Sequence, residues 1–481
     1  MLFSSIRFLI FFLLVCILYF AIPNEKYKRI ILLISSYIFC ICWNSFYTLS
    51  LFFSTLSTFY GGKLIAKYPN RKRLYLTITV ILNIGILVFF KYANFVILNV
   101  NLVLKLLDIN SIKLLDLFVP IGISFYTFQS LSYIFDIYRN DTVEEKSFIN
   151  YALFVSFFPQ LISGPIEKSK DFLKQFDKEH KFEYDRVKNG LLIMLIGFIY
   201  KLVIADRLAL IVNQVYNNLN NYSGIILLII SVVYSFQIYA DFYGYSLIAK
   251  GIAKVFGYEL YDNFKAPYLA KSIKEFWHRW HISLSTWFRD YLYFPLGGSR
   301  VSKIKIYRNI MIVFLISGLW HGANWTFIVW GILHGLYQII GKIMEKHRNN
   351  LSKKFKLSQY SKLNTFIKII VTFSLVTFAW IFFRATSIND ALYVISNMFV
   401  NFKIDIMSLE MDKWNLIVSL ISILVIIFAD IIKENIDMLD WLKKRNIVIR
   451  WIIYLMLIWI LLIFGIYGPG FSESTFIYIQ F

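Results

Sequence analysis

Long uncharged apolar runs are what most constrain this chain. Residues 30–42, 74–90, 191–200 and 451–467 carry no charged side chain. In hydrocarbon only a structure that satisfies its own backbone hydrogen bonds is tolerated, so windows of about twenty such residues read as membrane-spanning helices. About eleven to thirteen candidate windows can be counted, several of them short or broken. The chain is 58% hydrophobic and only 16% charged, where soluble domains are about a quarter charged. The expected fold class is an all-α polytopic membrane protein, one integral membrane domain over residues 1–481. The first run contains Arg7 and ends at Pro23 with no small-x-small cleavage site, which favours a retained first span over a signal peptide.

The net charge of +21 does not point to nucleic acid. Lys and Arg sit in short connectors between apolar runs, the pattern of the positive-inside rule and of contact with anionic lipid. Lys26, Lys28 and Arg29 follow the first run, the uncharged turn Asn44-Ser45 follows the second, and Lys63, Lys67, Arg71, Lys72 and Arg73 follow the third. This alternation places basic loops in the cytoplasm and the N-terminus outside. Cys16, Cys40 and Cys42 all lie in apolar runs and form no disulfide or metal spacing. The polar stretches 140–146, 167–186 and 342–362 are each too short for a soluble domain. No internal repeat is apparent, which weakens a transporter built of inverted halves.

Residues 308–342 are flanked by Arg300, Lys303, Lys305 and Arg308 on one side and by Lys342, Lys346, Arg348, Lys353 and Lys354 on the other. With both flanks cytoplasmic, the stretch must enter the membrane and return. Two short helices meeting at 317–324 would do so, with His321 at the apex; one long tilted helix is the alternative. An ionisable group inside hydrocarbon is costly and is a functional candidate by default, and His exchanges protons near neutral pH. Trp320, Asn324 and Trp325 beside His321 suggest a shaped pocket, although a structural His bonded to a carbonyl at a helix break would also fit.

Residues 271–295 read as one amphipathic helix. At helical spacing Phe276, Trp277, Trp280, Leu284, Trp287, Phe288 and Tyr291 fall on one arc, with His281 at its edge and His278, Ser285 and Arg289 facing away. An interfacial helix with solvated histidines is the plainer reading for His278, while His281 stays open. His334 shares a helix face with Gly331, Gly335 and Gln338 and reads as packing on a small-residue seam. Gln237, Asp241 and Tyr245 make a polar stripe at i, i+4 and i+8 on an apolar helix. Asp241 could orient a His or only hold helices together. Lys201, Asp206 and Arg207 form a second intramembrane charge group, expected to pair internally.

Taken together, these segments resemble the membrane-bound O-acyltransferases. The stretch 275–293 looks like their signature, completed by Pro295-Leu296-Gly297-Gly298 and Gly318-Leu319-Trp320-His321-Gly322-Ala323. Residues 120–129, 158–165 and 237–245 and Phe382-Phe383-Arg384-Ala385 are similar to those of the bacterial branch that O-acetylates alginate and other exopolysaccharides. The resemblance runs from Phe3 to about Arg384 and implies a core over 115–385, with further transmembrane helices over 386–481. It implies tilted and re-entrant helices ringing a central channel, His321 as the family histidine, and His281 as the second motif residue in a supporting role. His278 stands where Arg or Asn is expected and is given no role.

The activity so implied moves an acetyl group from a cytoplasmic thioester to an extracytoplasmic hydroxyl. The expected thioester is acetyl-CoA, with a carrier-protein thioester as alternative; no bound cofactor and no metal are expected. The acceptor is a polysaccharide, or a secreted or membrane-anchored acetyltransferase partner that modifies it. His321 would act as general base, while His281, Asn324 or amides at the helix break would receive the developing negative charge. Asp241, Gln237, Asn324 and Trp320 are the candidate substrate-binding residues. A transporter or flippase for envelope glycans, or a subunit that only recruits a secreted acetyltransferase, are the competing classes.

Overall fold

The computed structural model describes residues 1–162, 164–345, 347, 350, 361–400, 409 and 411–467. Ser163 of the 158–165 motif, and Lys346, Arg348, Lys353 and Lys354 of the second basic flank, lie outside the described residues. Among the described residues all regular structure is helical, as the apolar runs require. The described residues divide into two compact units: 1–194 with 246–261, and 195–245 with 262–467.

The first unit holds α1 (Ile6–Ala21), α2 (Glu25–Ile41), α3 (Ser45–Lys67), α4 (Lys72–Leu106), α5 (Ile123–Tyr138) and α6 (Phe148–Ser156). Side-chain caps start several of them: Ser5, Asn24, Asn44 and Ser147 each accept a hydrogen bond from a first-turn amide. The polar residues of α3 turn inward. Thr55 and Thr58 donate to carbonyls one turn back, Ser54 donates to Asn83 of α4, and Tyr151 of α6 donates to Thr58 at 2.7 Å. Polar side chains that would be stranded in lipid thus become contacts between helices.

The chain passes between the units within α7 (Tyr184–Phe198) and within α9 (Ile225–Phe256), between which lies α8 (Asp206–Tyr216). The second unit continues with α10 (Ile273–Arg279), α11 (Ile282–Phe288), α12 (Lys303–His321), α13 (Trp325–Ile343), α14 (Ser361–Arg384), α15 (Ile388–Asn397), α16 (Lys413–Lys433) and α17 (Ile447–Phe464). Among the described residues six helices are long and apolar enough to cross a membrane: α4, α9, α13, α14, α16 and α17. Several other apolar runs end up in helices that are shorter or interrupted. Residues 191–200, for instance, run into a π-helical turn over Ile199–Ala205. No residue of α17 is buried, and its Trp451, Ile452, Leu462 and Ile463 are exposed, a surface that only a lipid solvent tolerates. The molecule is a polytopic helical membrane protein.

Two local expectations change. Residues 271–295 are not one helix. α10 and α11 are seven residues each, separated at Trp280-His281, and a π-helical turn follows over Arg289–Tyr293. His281 takes the left-handed conformation (φ 43°), which a non-glycine residue holds only when its surroundings enforce it. Asn263 does so: its backbone carbonyl accepts from Ile282 N–H, and its Oδ1 accepts from the Ser283 amide and hydroxyl. The aromatic arc drawn at a continuous helical spacing therefore breaks at residue 280, and His281 moves from its edge to complete burial.

Residues 303–343 form a helical hairpin in place of one tilted helix, with the break at 322–324, within the expected 317–324. Each arm has 19 residues because the first begins inside the basic flank, at Lys303. The arms meet closely at glycines. A Cβ on Gly318 would lie 2.4 Å from Phe327 O, and one on Gly331 would lie 2.4 Å from Phe314 O. Only a residue without a side chain permits that approach.

Candidate active site

His321 is the last residue of α12 and is 3% exposed. Its imidazole meets rings edge-on: Trp330 at 4.9 Å, Trp320 at 5.0 Å and Phe383 at 5.2 Å between centroids. Phe383 comes from the Phe-Phe-Arg-Ala motif closing α14. The next residue, Arg384, fastens that end by donating to Asn213 Oδ1 at 2.9 Å and by lying over the Tyr216 ring. The tip of the hairpin is held as well. Asn324 caps α13 by accepting from Thr326 N–H at 3.0 Å, while its Nδ2 donates to the Thr386 carbonyl at 2.9 Å.

His281 is fully buried, with Phe242 of α9 edge-on at 4.6 Å and Trp320 at 6.0 Å. Trp320 is thus a neighbour of both His281 and His321, so the structure gathers the two histidines about one indole. Burial pushes the His281 imidazole down to about 3, which keeps it neutral at physiological pH. Trp325, by contrast, is 52% exposed and turns away from this enclosure. His278 is exposed, and its imidazole is lowered first by partial burial and then by Lys274 and Arg289.

The polar stripe of α9 is buried as drawn, but its partners come from elsewhere. Asp241 Oδ1 accepts from Lys201 Nζ at 2.7 Å, and the same ammonium lies 2.8 Å from Asp206 Oδ1. One cation in a π-helical turn therefore joins two carboxylates. Arg207 leaves the expected group and donates to Asn415 and to the Phe464 carbonyl. Gln237 is buried, and its Oε1 has no hydrogen-bond partner among the described residues. No group of three or more His, Cys, Asp or Glu gathers among the described residues in a way that could hold a metal ion.

His334 packs on the expected small-residue seam, and its fully buried imidazole, set among aromatic rings, also accepts a hydrogen bond from Trp277 Nε1 at 3.3 Å on Nδ1. That bond ties the signature segment to α13 across 57 positions of sequence, a separation that no local spacing could reveal. Trp330, also fully buried, sits between the two histidines, 4.9 Å from His321 and 4.8 Å from His334. Trp380 stacks on it at 5.8 Å.

The family model described as MBOAT, membrane-bound O-acyltransferase family, matches residues 139–388, which hold every residue of this enclosure. The chain is 37% identical over 402 residues to the probable alginate O-acetylase AlgI of Pseudomonas aeruginosa, covering 83% of this chain and 75% of the relative. It is 36% identical over 405 residues to the peptidoglycan O-acetyltransferase of Helicobacter pylori, covering 78% and 74%. It is 32% identical over 283 residues to the teichoic acid D-alanyltransferase of Bacillus subtilis, covering 55% and 68%. A glycan flippase or a recruiting subunit gives way to an enzyme on these findings. The chain belongs to the membrane-bound O-acyltransferase family and is an O-acyltransferase.

Proposed function

We propose that this protein takes an acetyl group from a cytoplasmic thioester, acetyl-CoA, and passes it to a hydroxyl on the far side of the cytoplasmic membrane. The acceptor is an envelope polysaccharide, or a secreted or membrane-anchored partner that modifies one. The N-terminus is placed outside by the basic connectors after the first and third runs. The relatives support the acceptor class, since their names specify alginate, peptidoglycan and teichoic acid.

The observation that carries the mechanism is a histidine at the tip of a glycine-packed hairpin, enclosed by three aromatic rings with a second buried histidine one indole away. A hydroxyl is a poor nucleophile until a base takes its proton, and a positioned base contributes about 10²–10⁴ in rate. An imidazole nitrogen of His321 accepts that proton as the hydroxyl oxygen bonds to the thioester carbonyl carbon. Negative charge collects on the carbonyl oxygen. When the carbon–sulfur bond breaks, the departing thiolate takes the proton back from the imidazolium, leaving an ester and free CoA thiol. His281 supports this step by holding Trp320 against His321.

The test is His321→Ala in proteoliposomes supplied with acetyl-labelled CoA and a hydroxyl-bearing polysaccharide. Loss of about 10²-fold or more in label transfer, with unchanged yield and thermal midpoint, is the expected result. Full transfer by the variant would refute the base assignment. Wild-type protein that moves no label from acetyl-CoA would refute the thioester.

A further inference from the structure

Two hydrogen-bond donors, one on the ring packed against His321 and one on the ring behind it, are buried without acceptors among the described residues. An indole N–H can only donate, so the bond from Trp277 Nε1 makes His334 Nδ1 the acceptor and leaves the proton of the neutral ring on Nε2. His334 Nε2 has no partner among the described residues. Neither has Trp330 Nε1, and both residues are fully buried. Phe276, Trp277, Phe314, Trp380 and Phe383 pack here and offer no acceptor, and neither donor bonds to His321 or Tyr337, the polar rings also in contact.

A buried donor without an acceptor has lost its hydration with nothing in return, and each such group in a folded protein calls for an explanation. Here there are two, on rings whose centroids lie 4.8 Å apart. One of those rings stands 4.9 Å from the histidine at the hairpin tip. Asn324 is not free to serve the same end, since both ends of its amide are committed to the α13 cap and to Thr386.

We propose that Trp330 Nε1–H and His334 Nε2–H bind the carbonyl oxygen of the thioester and stabilise its negative charge while the acceptor hydroxyl attacks. A carbonyl oxygen has two lone pairs and no proton, so it can accept from both donors at once. Its acceptor strength rises as the tetrahedral intermediate forms, so the pair favours the transition state over the bound thioester. Trp277 is then a positioning residue: its N–H fixes which nitrogen of His334 carries the proton. This assignment rests on the acyl-transfer reading above.

The decisive variants remove a donor and keep the shape. Trp330→Phe retains a ring. Replacing Trp330 with 3-benzothienylalanine, in which sulfur takes the place of the N–H, retains the indole outline and decides the matter if Trp330→Phe does not fold. With acetyl-CoA and polysaccharide in proteoliposomes, kcat falls about 10²–10³-fold, the loss typical of one such donor. KM for acetyl-CoA stays within about threefold, because the contact strengthens only as charge develops. Trp277→Phe lowers kcat and leaves KM in the same way. A second readout needs no turnover: in a His321→Ala background, carbonyl-labelled acetyl-CoA bound to the protein shows an infrared C=O stretch displaced to lower frequency, and the benzothienyl substitution abolishes the displacement.

Wild-type kcat in the benzothienyl protein, or an undisplaced stretch for bound acetyl-CoA, would overturn this assignment while leaving the role of His321 intact. If His321→Ala itself transfers acetyl normally, the underlying reading fails instead.

Discussion

A single methyl group tests whether the hairpin geometry sets His321. On Gly331 a Cβ would sit 2.4 Å from Phe314 O, where ordinary contact begins near 3.4 Å, so the two arms must part by about 1 Å. The obstacle is backbone, and no rotamer change relieves it. Overpacking of this kind costs about 1–3 kcal/mol. The rate consequence is larger, since misplacing a catalytic group by about 1 Å costs up to about 10²-fold. Gly331→Ala is therefore expected to insert and purify normally, to unfold several degrees lower, and to transfer acetyl about 10- to 10²-fold more slowly. Gly341→Ala is the control on the same helix, because nothing among the described residues lies within 4 Å of a Cβ there, and both measurements should match the parent. The assay pairs a thermal-shift measurement in nanodiscs with initial rates of label transfer. A Gly331→Ala protein with parental rate and parental midpoint would refute the idea that seam spacing positions His321.

Two further predictions concern buried charge. Lys201→Met leaves the carboxylates of Asp206 and Asp241 without the ammonium that joins them, a loss of about 3–5 kcal/mol for a buried pair. Adding Asp241→Asn should recover part of that loss, and strictly additive thermal midpoints would contradict a shared ion pair. In the first unit, Glu167 is buried and accepts from Tyr261 N–H, and burial pushes its carboxyl up to about 8 from an ordinary 4.5. The folded state then holds a proton that the unfolded state has already released, so stability is full below about pH 4.5 and declines as pH rises to about 8. Glu167→Gln keeps an acceptor for Tyr261 and should flatten that decline in thermal midpoints taken from pH 5 to 9; an unchanged slope would exclude Glu167 as its source.

Local composition alone settles the class of molecule. Charge-free runs of helical length leave no soluble alternative, since backbone groups in lipid must be satisfied within the segment. It also singled out His321 as a candidate, because a His between glycines in an apolar stretch is expensive to keep, and basic flanks on both sides called for the helical hairpin that spans 303–343.

Which of those residues meet depends on contacts between segments far apart in the chain. No periodicity announces a break at Trp280-His281, because Asn263, well before it in the chain, imposes the left-handed turn. The partner of Asp241 is Lys201, 40 positions away and on a π-helical turn that no local propensity specifies. His334 looked like seam packing because its glycine neighbours dominate the helix face, whereas its bond to Trp277 exists only once α10 lies against α13. The division has one physical origin. The solvent acts on each segment alone and is written in local composition, whereas the pairing of polar groups inside the protein depends on which segments meet.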